Sequence, residues 1–220
     1  MYQKIIQKIE SLQLLNIAGE RKAHLQGLIN YINNKIESHQ AVNLNFICTH
    51  NSRRSQFAQI WGRTLANYYG LPVNCFSGGI ETTALNHRVA QSLLKSGFKI
   101  EKDKNEINPV YRIYFSDTSA PVEAFSKMYN DAANKSDLFA AIMVCDHADE
   151  NCPLIPGAEF RFPLFYRDPK EYDNSTQEAE KYDACSEQIA SELSYIFSKI
   201  YSKIKNIIDD SDAANYPKMK

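Results

Sequence analysis

This 220-residue sequence predicts an α/β fold: a short parallel sheet of about four strands with helices on both faces. Two observations carry that expectation. From residue 42 onward, short apolar runs alternate with segments of helical period, as strand–helix–strand units require. The most apolar stretch, "LFAAIMVC" (138–145), reads as a central strand covered on both sides.

In chain order, Ile5, Ile6, Ile9, Leu12 and Leu15, then Leu25, Leu28, Ile29 and Ile32, recur at helical spacing on either side of Gly19. They predict an N-terminal helical hairpin over residues 1–40, a packing or dimerisation element. "VNLNFIC" (42–48) is the first strand. A helix follows from Arg54 to Tyr69, with Gly70 as its C-terminal stop. Pro72 opens a second strand, "VNCFS", followed by the glycine loop "SGGIE". Asn86 is placed to cap a helix that ends near Gly97. Residues 101–135 read as an insertion, with a strand in "PVYRIYFS" and a turn and helix in "APVEAFSKMYNDAANK". Pro163 inside "EFRFPLF" marks an edge strand. A long helix is expected from Ser175 to Ile207. The catalytic unit then spans 41–207, and the polar tail 208–220 is expected to be disordered.

Lys plus Arg (25) nearly balances Asp plus Glu (26), so charge gives no case for nucleic acid or an anionic membrane as the main partner. No apolar run approaches the roughly 20 residues that span a bilayer, and the N-terminus does not resemble a signal peptide. A cytoplasmic protein is expected. The five cysteines, Cys48, Cys75, Cys145, Cys152 and Cys185, are odd in number and lack the spacing of a metal knuckle. No metal or other cofactor is expected.

The stretch that carries chemistry is Cys48-Thr49-His50-Asn51-Ser52-Arg53-Arg54-Ser55, a C-x5-R-S pattern between a strand and a helix. Backbone N–H groups in a tight turn at a helix N-terminus point inward and cup a tetrahedral oxyanion. Residues 49–55 would form that cup, with Arg54 closing it by a two-pronged contact. The same positive field favours the thiolate of Cys48, the nucleophile. Ser55 is placed to donate to that thiolate, and Asn51 tolerates the left-handed backbone a cup requires. Arg53 reads as a surface charge at the helix start, and His50 as a loop side chain, not a base.

"ICTHNSRRSQFAQIWG" resembles the phosphate-binding loop of the low-molecular-weight protein tyrosine phosphatases and of the thioredoxin-coupled arsenate reductases that share their fold. "FSGGIE" is similar to the next family segment, with Gly78 in place of alanine. Asp168-Pro169 matches the pair that supplies the family's general acid. "VCDHADENCPLIPGAEFRFPLFYRDP" resembles the reductase branch, which carries two further redox cysteines seven residues apart; Cys145 and Cys152 match them. The resemblance implies arsenate reduction by a three-cysteine relay in which Cys145 attacks Cys48, Cys152 then attacks Cys145, and thioredoxin reduces the final disulfide. Cys75 and Cys185 have no counterpart and read as a core and a helix residue. The alternatives are a tyrosine phosphatase acting through a phosphocysteine, and an inactive oxyanion- or phosphoprotein-binding module.

Several positions depart from the family pattern. His50 replaces the glycine usual in the reductase cup, and its Cβ would strain a φ > 0 backbone. Gln59 stands where the potassium-binding reductases carry a glutamate. Lys170 follows Asp168-Pro169 where the phosphatases carry an aromatic residue.

Overall fold

β1 (Val42–Cys48) is the strand around which the molecule is built. It runs parallel to β2 (Val73–Gly79) on one side and to β6 (Phe139–Met143) on the other, and β7 (Ala158–Pro163) completes a four-stranded parallel sheet in the order β2-β1-β6-β7. The computed structural model describes residues 1–134, 137–151 and 154–215, with side chains through residue 206. β6 is buried at all five positions, as its apolar run predicted. β7 lies at the edge, where Pro163 removes no ladder bond.

The two faces of the sheet are covered differently. Leu44, Phe46, Cys75, Phe160 and Phe162 share one face by register. α2 (Gly19–Glu37) lies there, with His24 and Tyr31 stacked on Phe162 and Phe160. α3 (Arg54–Tyr68) lies beside it; a Cβ on its Gly62 would come within 2.8 Å of the Cys75 sulfur. α6 (Glu178–Asn215) packs over both. The opposite face carries Asn45, whose Nδ2 donates to Tyr129 O (2.9 Å), and Arg161, which is paired with Asp149 of α5 (Asp146–Asn151).

α1 (Gln3–Leu12) and α2 are the two expected N-terminal helices. α1 packs on α4 (His87–Ser96) and α6, and α2 on α6 and β1. Their apolar residues Ile5, Ile9, Leu25, Leu28 and Ile32 belong to the same continuous core as the sheet. α4 is capped as the sequence suggested: Asn86 Oδ1 accepts from Arg88 N, and Gly97 takes φ 104°.

Two expectations are corrected. The second half of the insertion is not a helix. β3 (Lys99–Lys102), β4 (Tyr111–Tyr114) and β5 (Val122–Ala124) form an antiparallel sheet, and a single 3-10 turn, Ala132–Asn134, follows. Val122 and Ala124 point inward while Glu123 points out, so burial of a period-2 face overrides the helix propensity of the segment. The tail begins as helix, since α6 continues through Asn215.

Candidate active site

The loop between β1 and α3 turns its carbonyls outward. Cys48 O accepts from Ile80 N (3.3 Å), and Thr49 O from Ile80 N and Glu81 N (both 2.9 Å). His50 O accepts from Ser126 Oγ (2.8 Å), and Asn51 O from Gln56 Nε2 (2.9 Å). Ser52 O takes Asn86 N (3.1 Å), and Arg53 O takes Phe57 N (3.0 Å). Among the described residues, no backbone N–H of residues 49–53 donates to a protein acceptor. A peptide turn with every carbonyl held from outside presents its N–H groups to the inside, which is an anion-binding concavity.

Gly78 and Gly79 make this close packing possible. A Cβ on Gly79 would lie 2.3 Å from Glu81 O and 2.7 Å from Thr49 O; one on Gly78 would lie 2.2 Å from Tyr129 Cα. The bare backbone therefore admits the loop on one side and the insertion on the other.

The left-handed turn falls at Asn51 (φ 46°), so His50 is not in the strained conformation its Cβ would resist. Asn51 is fully buried, and its amide orientation is fixed by chemistry. The backbone N–H of Lys127 donates to Oδ1 (3.0 Å), so Nδ2 faces Ser55 and donates to its Oγ (2.8 Å). The Ser55 hydroxyl lies 3.0 Å from Cys48 Sγ and is placed to donate to a thiolate there. Segment 125–127 of the insertion thus buttresses the loop through Phe125 O, Ser126 Oγ and Lys127 N.

Asp168 lies at the rim of the cavity lined by Cys48, Thr49, His50, Ser52, Arg53 and Arg54. Its Oδ1 accepts from Arg53 Nε (3.0 Å) and Lys170 N (3.0 Å), and its Oδ2 from Arg54 Nη2 (2.7 Å). Arg54 Nη1 donates to Tyr166 O (2.9 Å). The fork of Arg54 thus engages Asp168 and Tyr166 at the edge of the cavity that it lines. Arg53 is buried against the same carboxylate and is not a surface charge. Burial pushes a carboxyl up, but Arg54 and Arg53 outweigh it and hold Asp168 below its ordinary range. His50 is half-exposed and faces Glu81 (3.2 Å).

Cys145 follows β6 and is fully buried. Its sulfur lies 3.6 Å from Thr49 Oγ1 and accepts from Ala148 N (3.4 Å). Thr49 Oγ1 lies 3.3 Å from His147 Nδ1 as well. Cys152 lies outside the described residues. Cys75 and Cys185 do not line the cup; burial pushes both thiols up to about 12. Gln59 is engaged within the fold, accepting from Ser77 Oγ. Sequence reasoning missed His147, Gln56 and the 125–127 segment, whose roles depend on contacts across 69 to 98 positions of chain.

No protein-family profile matches the chain. An arsenate reductase of Brevibacillus brevis is 30% identical over 124 residues, which are 56% of this chain and 74% of the relative. Arsenate reductase 1 of Staphylococcus saprophyticus is 31% identical over 111 residues, 50% of this chain and 66% of the relative. Among solved structures, a low-molecular-weight protein tyrosine phosphatase of T. tengcongensis matches with TM-score 0.49 and 15% identity, over 72% of this chain and 99% of that one. A thioredoxin-dependent arsenate reductase of Corynebacterium glutamicum matches with TM-score 0.39 and 20% identity, over 88% and 84%. With a curated relative at 30% identity over three quarters of that relative's length, the chain belongs to the arsenate reductase family.

Proposed function

We propose that this protein reduces arsenate to arsenite through Cys48, Cys145 and Cys152, with thioredoxin as the final reductant. The observation that carries this reading is the second thiol at the cup. Cys145 Sγ lies 3.6 Å from the hydroxyl of Thr49, the residue after the nucleophile, and a phosphatase has no need of it. Val144 N donates to Ile47 O (2.8 Å), so the β1–β6 ladder runs up to Cys48. Continued beyond the Ile47–Met143 pair, the ladder sets Cys145 opposite Thr49, one residue from Cys48.

The steps balance. The Cys48 thiolate attacks dihydrogen arsenate; an S–As bond forms, an As–O bond breaks, and water leaves. The Cys145 thiolate attacks the Cys48 sulfur. The S–As electron pair stays on arsenic, which becomes arsenite on taking up protons, and two sulfurs are oxidised to the Cys48–Cys145 disulfide. Cys152 then displaces Cys48 from Cys145, and a dithiol, thioredoxin, reduces the Cys145–Cys152 bond.

Asp168 at the rim supports a second reading, hydrolysis of phosphate esters through a phosphocysteine. Assays on arsenate with thioredoxin and on an aryl phosphate separate the two. Loss of arsenate turnover in Cys145→Ser, with retained formation of the Cys48 phosphocysteine, is the result expected of the reductase. Aryl phosphate turnover with none on arsenate overturns it.

A further inference from the structure

The C-x5-R-S pattern needs one arginine, Arg54; its neighbour Arg53 is an addition. Arg53 is 9% exposed and its Nε donates to Asp168 Oδ1, while Arg54 Nη2 takes Oδ2. Each carboxylate oxygen thus carries a guanidinium, and Oδ1 accepts from Lys170 N as well. A proton on Asp168 removes the charge that strengthens these contacts. When Arg54 turns its fork to an oxyanion, Arg53 still holds the carboxylate.

We propose that Arg53 is a specificity-determining residue: by keeping Asp168 a carboxylate, it selects oxyanions that bring their own leaving-group proton over phosphate esters. The inference rests on the reading of Cys48 as the arsenate nucleophile. The chemistry separates the two substrate classes. The Cys48 thiolate and dihydrogen arsenate give a dianionic thioarsenate adduct and water, and both hydrogens of that water come from arsenate. The same thiolate and an ester dianion give a dianionic phosphocysteine and a free alkoxide or phenoxide. That oxygen leaves unprotonated unless the protein supplies a proton. Asp168 is the carboxyl at the rim, and Arg53 keeps it from serving.

The test is the leaving-group dependence of kcat/KM for a series of aryl phosphates, from nitrophenyl to phenyl, beside arsenate reduction with thioredoxin. The wild-type protein is expected to lose about a hundredfold or more from the best leaving group to the poorest, as an enzyme without a general acid does. R53M flattens that dependence and raises kcat/KM for phenyl phosphate by about tenfold. The double variant R53M/D168N returns to the steep dependence, because the gain runs through Asp168. A flat dependence in the wild-type protein overturns the inference without any variant, so a poorly folded R53M does not protect it. An R53M slope as steep as wild type overturns it equally. A steep slope flattened by R53M in a protein that never turns over arsenate supports control of Asp168 by Arg53, and only the reductase reading then fails.

Discussion

Ser55 Oγ lies 3.0 Å from Cys48 Sγ, and Asn51 Nδ2 donates to the same serine oxygen at 2.8 Å. Lys127 N–H fixes Asn51 Oδ1, so Asn51 Nδ2 faces the Ser55 oxygen; against a Cys48 thiolate, which carries no hydrogen, the serine is the donor. A hydrogen bond to a charged acceptor contributes about 1.5–3 kcal/mol. Ser55→Ala should therefore slow alkylation of Cys48 by iodoacetamide at neutral pH by roughly tenfold, followed by mass spectrometry of the labelled peptide. A Cys48 rate within twofold of wild type would show that the sulfur does not depend on this donor.

Gly79 carries a second prediction. Its ideal Cβ would sit 2.3 Å from Glu81 O, 2.7 Å from Thr49 O and 2.9 Å from Asn51 N, all backbone atoms of the loop and its support. No rotamer relieves such contacts, so the loop must shift. Gly79→Ala should lose at least about 2 kcal/mol in urea unfolding, and the oxyanion affinity of the cup should fall with it. Gly19, where an added Cβ meets nothing within 4 Å, is the control, since alanine there leaves the midpoint near wild type. Equal midpoints for the two variants would mean that the close approach at Gly79 is not constraining.

Lys127 gives a pH dependence. Its side chain is buried and, among the described residues, its Nζ has no hydrogen-bond partner, although it lies 4.7 Å from the Phe125 ring centroid. Burial lowers its pKa to about 8, against a smaller opposing pull from Asp131. The folded protein therefore holds this proton more weakly than the unfolded chain does. Below pH 8 both states are protonated and the full penalty, about 3 kcal/mol, is present. Between about pH 8 and 10.5 only the unfolded state keeps the proton, and the penalty fades as pH rises. Lys127→Met should be more stable than wild type at pH 7, with the gap narrowing toward pH 10, by urea unfolding across that range. A gap that is constant or widens with pH contradicts the assignment.

Much of this was legible from local chemistry. The C-x5-R-S spacing, the left-handed Asn51, the Asn86 cap and the edge position of Pro163 all depend on residues within one turn of chain. What was not legible depends on distance. The Arg53–Asp168 pair joins positions 115 apart, and no local pattern distinguishes a clasped arginine from a solvated one. The 120–135 segment misled because its Ala, Glu, Lys and Met residues favour helix. The alternation of Val122, Glu123 and Ala124 was the competing signal, and tertiary burial made it win. The glycine pair was read as a loop, but Gly78 and Gly79 are the last residues of a strand, kept bare so that two other backbones can approach.

Thr49 is the place where the two cysteines of the described site can be uncoupled. Its hydroxyl lies 3.6 Å from Cys145 Sγ and 3.3 Å from His147 Nδ1. Cys145 Sγ also accepts from Ala148 N at 3.4 Å, so the sulfur already faces a donor suited to its anion. One hydroxyl hydrogen has two uses. Given to His147, it leaves the Thr49 oxygen free to take the Cys145 proton; given to the sulfur, it stabilises the thiolate. In the proposed relay both uses speed the attack of Cys145 on Cys48, and both vanish in Thr49→Val, which keeps the side chain's shape. The rate of Cys48–Cys145 disulfide formation after mixing with arsenate should fall roughly tenfold, read by rapid quench and mass spectrometry in a Cys152→Ser background that stops at this bond. His147→Ala should give part of the loss, because it removes the proton acceptor and leaves the donor to sulfur. If T49V forms the disulfide as fast as the parent while H147A slows it, the histidine acts on Cys145 by a route that bypasses Thr49, and the bridging hydroxyl has no part in the transfer.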